Sequence, residues 1–298
     1  MSVQNASELI PPPPPLPLLA LPESSKKKLY QALAEGREPV VGDYEEARII
    51  IGQRQSSFRK DLQWFLFNKY VPSLIQDGPQ CGLVALWMAC HLLNPSNIVP
   101  LQMLVQTAKD CGYTEQGEMF SASDMARLAE DVCGCRVERL SGGMMGENAG
   151  IILKHLSNRQ PVLVPYDEDF NHEPCLRNGH KAHWAVISGV LIGSRQGGVD
   201  SLRFSPDISL PWLQIWECKT PISFLPDGLE EVFVLAKQGK SLRYQLWNLE
   251  SLAQSNNQLK EIDPQRAGDG TSYVLPSGGV QEGLAGQVLL LNTETQHS

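Results

Sequence analysis

The chain has 298 residues, 42% of them hydrophobic, which suffices for one large domain or two small ones with a buried core. Its net charge of −8, with the short run Lys26-Lys27-Lys28 as its one basic stretch, excludes a sequence-independent nucleic-acid binder and falls short of a polybasic membrane signal. The apolar runs are too short for a transmembrane helix, and residues 16–21, broken by Pro17 and without a cationic lead, do not form a secretory signal, so a cytoplasmic location is expected.

Residues 1–23 form a separate regime. Pro11, Pro12, Pro13, Pro14, Pro15 and Pro17 exclude a helix or a central strand, because proline fixes φ and lacks the backbone donor. An extended, disordered polyproline II segment is expected, either a stiff linker or a ligand for an aromatic groove. Residues 24–70 read as short helices and a linking stretch. Ser24 or Ser25 is placed to cap a helix over 26–34 that stops at Gly36. Leu62, Phe65, Leu66 and Tyr70 give 61–70 roughly helical spacing.

Helices are then predicted over 82–93, 101–111, from Ser121 to about 132, and over 149–156, with strands at 136–140 and 161–165. From residue 183 the pattern turns to strands, at 183–192, 201–204, 214–218, 231–236, 242–246, 272–275 and 287–291. Helices first and strands later predict an α+β domain over 24–291, with a β-rich extension at 211–291 and a disordered tail at 292–298.

Chemistry concentrates in two places. In Gln76-Asp77-Gly78-Pro79-Gln80-Cys81-Gly82, a turn runs into a cysteine that opens an apolar helix. The unpaired N–H groups and the dipole at a helix start favour a thiolate, the nucleophilic form. Gln76 or the nearer Gln80 can add a side-chain donor for a developing oxyanion; Gln76 is preferred because adjacent side chains point apart. Among six histidines, His183 stands at the start of an apolar strand, beside Trp184, where a rigid element can hold an imidazole as base. A carboxylate should orient that base. With Ile192 and Val199 flanking a hairpin turn, His183 faces position 208, so Asp207 is the preferred partner and Asp200 the alternative.

Rival motifs are weaker. Cys133, Cys135, Cys175, His180 and His183 are zinc-ligand types, but their spacings match no standard site. Lys237–Lys240 before Ser241 lacks the first glycine of a phosphate loop and reads as a basic turn. Residues 277–286 read as loop. No cofactor motif is present in the sequence. Seven cysteines, an odd number without a secretory signal, predict reduced thiols rather than a disulfide framework.

Gln-x4-Cys-Gly, then His183-Trp184-Ala185-Val186-Ile187, then a downstream Asp resemble the papain-like cysteine peptidases, especially the branch that cuts bacteriocin leader peptides, over about residues 70–210. Phe204-Ser205-Pro206-Asp207 departs from that branch, which more often shows Asp-Pro. Residues 76–88, His183–Val186, Lys237–Ser241, Tyr244–Trp247 and the polyproline together resemble the actin maturation protease family of animals, nearly end to end. The resemblance implies a papain-like fold, with a Cys-bearing helix packed on an antiparallel sheet that carries the His. It implies Cys81 as nucleophile and His183 as base, removing the N-acetylated first residue, methionine or cysteine, from immature actin. It further implies that the polyproline engages profilin. Substrate acidity would call for basic partners such as Arg136, Arg139, Arg177 or Lys181. A catalytically silent adaptor joining profilin and actin, or another papain-like acyl transfer such as deubiquitination, are the competing readings.

Overall fold

The computed structural model describes residues 23–93, 99–195, 204–216, 228–268 and 270–293. The prolines at 11–15 and 17, and Asp200, lie outside these. Helix α1 spans Glu23–Gly36 and α2 spans Tyr44–Gln53, the latter capped by Asp43, which accepts from the Glu46 N–H at 2.7 Å. Strand β1 is Gln63–Asn68. Helices α3 (Cys81–Leu93), α4 (Leu101–Asp110) and α5 (Ala122–Cys133) follow, and Ser121 caps α5 as its sequence requires. Next come β2 (Cys135–Leu140), α6 (Glu147–Ser157), β3 (Val162–Asp167) and β4 (Ala182–Ser194). The chain continues through β5 (Phe204–Pro206), β6 (Leu213–Trp216), β7 (Leu229–Gln238), β8 (Gln245–Asn248), α7 (Leu249–Asn257), α8 (Pro264–Ala267), α9 (Gly279–Leu284) and β9 (Val288–Thr293).

The nine strands among the described residues join one sheet, antiparallel except for the parallel pair β1–β6. Strand β4 organises it. β7 runs along one edge of β4, while β3 pairs with Ala182–Ile187 and β1 with Gly189–Ser194 on the other. The sheet separates two cores. Leu83, Leu86 and Met88 of α3, with residues of α2, α4 and α5, pack on one face, against Trp184, Val186 and Leu191. Ile152 and Leu156 of α6 and Leu252 of α7 pack on the other, against Ala185, Ile187, Val190 and Ile192. A register shift between Ile187 and Gly189 accounts for the change of parity along β4, since one extra residue turns every later side chain over. The domain is thus α+β, with the cysteine-bearing helix packed on the sheet that carries the histidine.

Six expectations are corrected. Residues 61–70 contain a strand, not a helix: Trp64, Phe65, Leu66 and Phe67 are all buried, because β1 is covered on both faces. Position 204 pairs with β6 rather than returning against β4, whose two edges are already occupied. The described residues of 211–291 hold three helices besides strands, 272–275 is not a strand, and 277–286 contains α9. Cys90 and Cys133 form a disulfide that ties α3 to α5 across 43 positions, with Cα atoms 5.7 Å apart, so not all thiols are free. Among the described residues no helix is long and apolar enough to cross a membrane.

Candidate active site

Helix α3 starts at Cys81 because Gly78, at φ +61°, and Pro79 form the turn before it, and because ten of the next residues are buried. That burial fixes the helix against the sheet and leaves a half-buried thiol at its N-terminus. Gly82 is required by the fit: a Cβ there would lie 2.7 Å from Met125 Cε, 3.0 Å from Met119 Cβ and 3.1 Å from Trp184 Cδ1. The Trp184 indole is held in turn by donation to the Met119 carbonyl at 2.8 Å. The tight seat brings the Trp184 backbone N–H to the Cys81 sulfur.

His183 is the second residue of β4, opposite Tyr166 of β3, whose ring meets the imidazole edge-on at 5.9 Å. Cys81, His183 and Gln76 line one cavity of about 510 Å³, together with Glu168, Lys240 and Tyr273. The Gln76 backbone N–H donates to Gly239 O at 2.7 Å, and its side-chain amide donates to Gly78 O at 2.7 Å. Its Oε1 is buried without a partner. Gln80 does not line the cavity; its side chain packs over Gly117.

The carboxylate beside His183 is Glu168, just past the end of β3. Its Oε1 lies 3.9 Å from His183 Nδ1 and pairs with the Lys240 ammonium, and its Oε2 contacts His172 Nδ1 at 3.0 Å. The Gln238 side chain also faces His183 from the end of β7. Asp207 is elsewhere. It accepts from the Ser209 and Leu210 N–H groups, as the start of a turn, and lines a second cavity of about 630 Å³ that shares no residue with the first. The hairpin expected from sequence does not form, because β7 and β1 occupy both edges of β4. Continuing the β4–β7 register past Ala185–Gln238 puts position 240, not 208, opposite His183.

The charges follow from burial. Burial pushes the Cys81 thiol up, against the Trp184 and Gly82 N–H groups and the Lys240 ammonium, which favour thiolate. Burial also pulls the His183 imidazole down to about 3, with Glu168 opposing. Burial alone would raise the Glu168 carboxyl, but His172, His183 and Lys240 outweigh it and bring it down to about 2. At neutral pH the site therefore holds a thiol, a neutral imidazole and an ionised carboxylate. The arrangement suits proton transfer from sulfur to imidazole, because the imidazolium that forms gains an adjacent negative charge.

Other sequence candidates disperse. Lys181 lines the cavity, joined by Arg266, which no sequence motif singles out; Arg136, Arg139 and Arg177 do not line it. Of the residues with zinc-ligand chemistry, Cys133 bonds Cys90, Cys135 contacts the Ala129 carbonyl and His180 contacts Glu261. Glu168, Gln238 and Lys240 escape a reading of the sequence because each reaches His183 through strand pairing. The available signal was the segment Val162–Asp167 followed by a loop back to His183, which, paired as neighbours, sets Glu168 beside the histidine.

The family model for the actin maturation protease-like C-terminal domain matches residues 71–191, which include both Cys81 and His183. A protein named actin maturation protease from Danio rerio is 76% identical, covering 93% of this chain and 90% of the relative. Proteins of the same name are 49% identical in Homo sapiens, covering 90% and 77%, and 32% identical in Drosophila melanogaster, covering 78% and 72%. Among solved structures, a C39-like peptidase from Bacillus anthracis aligns over 74% of this chain and 91% of its own, at 12% identity and a TM-score of 0.37. By the extent and identity of the matches to these relatives, the chain belongs to the actin maturation protease family.

Proposed function

We propose that this protein is a cysteine peptidase that removes the N-acetylated first residue, acetyl-methionine or acetyl-cysteine, from immature actin. The observation that carries the chemistry is the joint placement of Cys81, at a buried helix start, and His183, at a strand end, in one cavity with an ionised Glu168. His183 takes the Cys81 proton as the sulfur attacks the first peptide carbonyl. In this reading the Cys81 N–H, at the helix start, and the Gln76 amide receive the oxyanion. In the free enzyme one of the two Gln76 Nε2 N–H groups is engaged by Gly78 O, and the other is the donor this reading assigns to the oxyanion. The imidazolium, stabilised by Glu168, passes its proton to the departing amine of the shortened chain. Water then splits the thioester, releasing the acetylated residue and restoring the thiol.

An acetylated terminus offers no ammonium group, so selectivity rests on a closed pocket and on the residues beyond the scissile bond. Lys181 and Arg266 on the cavity wall supply cations for an acidic stretch there. Engagement of profilin by the prolines at 11–15 and 17, which would raise the local concentration of a profilin–actin complex, belongs to the same reading. The direct test offers two peptides of one sequence, one beginning acetyl-Met and one with a free amine. Cleavage of the acetylated peptide alone is expected. Preference for the free amine would refute the reading.

A further inference from the structure

His172 contacts the active-site carboxylate through the oxygen other than the one nearest His183. Its Nδ1 lies 3.0 Å from Glu168 Oε2, while Glu168 Oε1 serves Lys240 and stands 3.9 Å from His183 Nδ1. Glu168 and His183 are almost fully buried; the His172 side chain is 29% exposed. The loop is bonded so as to hold this contact. His172 adopts φ +65°, a left-handed conformation that is strained for a non-glycine residue and persists where surrounding bonds impose it. Those bonds are present: Asp169 Oδ1 accepts from Asn171 N at 2.7 Å and Glu173 N at 2.9 Å, and Tyr166 OH donates to His172 O at 3.1 Å.

We propose that His172 is a positioning residue of this active site, fixing the Glu168 carboxylate so that one oxygen remains turned to His183. Without His172, Oε2 would be a buried charged acceptor lacking a partner. The least costly relief is rotation of the carboxylate so that both oxygens meet the Lys240 ammonium, and that rotation withdraws the charge from His183. His172 thus acts through Glu168 and touches neither sulfur nor substrate. The inference rests on the reading of Glu168 as the group that orients His183.

Three variants test it: His172→Ala, His172→Asn and Glu168→Gln. Asparagine presents an N–H where Nδ1 stands and tolerates the left-handed backbone. Activity is read on the acetyl-Met peptide. The rate of Cys81 alkylation by iodoacetamide, resolved by peptide mass spectrometry, gives a second readout independent of the substrate. Circular dichroism and urea unfolding confirm that each variant is folded. His172→Ala should lower kcat about tenfold with KM little changed, and slow Cys81 alkylation, because a displaced carboxylate leaves the base misaligned. His172→Asn should recover most of both. A wild-type kcat and alkylation rate in folded His172→Ala would overturn the proposal, as would a folded His172→Asn as impaired as the alanine variant. Unchanged activity in Glu168→Gln would overturn the underlying reading together with it. A loss in Glu168→Gln alone would remove only the role of His172.

Discussion

Gly82, next to Cys81, has no room for a methyl group. The Met125 tip can move aside, but Met119 Cβ and the Trp184 ring, at 3.0 and 3.1 Å from the added carbon, cannot. Gly82→Ala should therefore push the start of α3 off Trp184 and carry Cys81 away from His183. The expected outcome on the acetyl-Met peptide is a kcat lower by at least about tenfold, because small misplacements of a nucleophile are costly. Urea unfolding separates this from collapse of the fold, and an unchanged kcat would contradict the seating of the helix. At this scale the sequence was legible where the signal is local: a turn followed by an apolar helix pointed to Cys81 and the head of an apolar strand to His183, and the structure brings both to one cavity. Asp207 failed because its assignment needed a hairpin partner. Glu168 and Gln238 reach His183 from two different strands, and adjacency in sequence reveals neither.

Elements with a clean period or a clear cap were equally legible. The run after Cys81, the Ser121 cap and the proline-bounded strand near residue 162 all formed as expected. Strand β1 shows why others were not. Gln63–Asn68 carries four successive buried apolar residues, so alternation is lost, and Leu62, Phe65, Leu66 and Tyr70 imitate a helical stripe. Its central position has an energetic consequence. Phe67 is 1% exposed and packs its ring against Phe204 and Trp216 at 5.5 and 5.9 Å. Phe67→Ala should destabilise the domain by about 3–5 kcal/mol in urea unfolding. A loss under about 1 kcal/mol would show that β1 is not a core strand.

The whole molecule is held by non-local pairing: β9 lies between β2 and β3, and β7 closes the free edge of β4. Sequence order conceals such insertions, which is why the C-terminal segment read as an extension rather than as part of the sheet. Burial of the site links it to global stability. Both Glu168, lowered to about 2, and His183, lowered to about 3, bind protons more readily in the unfolded chain. Their stabilisation is complete above about pH 6.5 and is lost as pH falls toward 2. The urea midpoint should therefore decline through this window, and less steeply below pH 4.5 in Glu168→Gln; a flat profile would contradict the buried charged network. The central claim concerns the reaction, and intact-mass spectrometry of N-acetylated immature actin, incubated with wild-type protein and with Cys81→Ala in the presence of profilin, addresses it most directly. Loss of one acetylated residue with the wild type alone is the expected result. An unchanged mass with both proteins, or the same loss with both, would contradict the assignment of Cys81 as the nucleophile of an actin-processing peptidase.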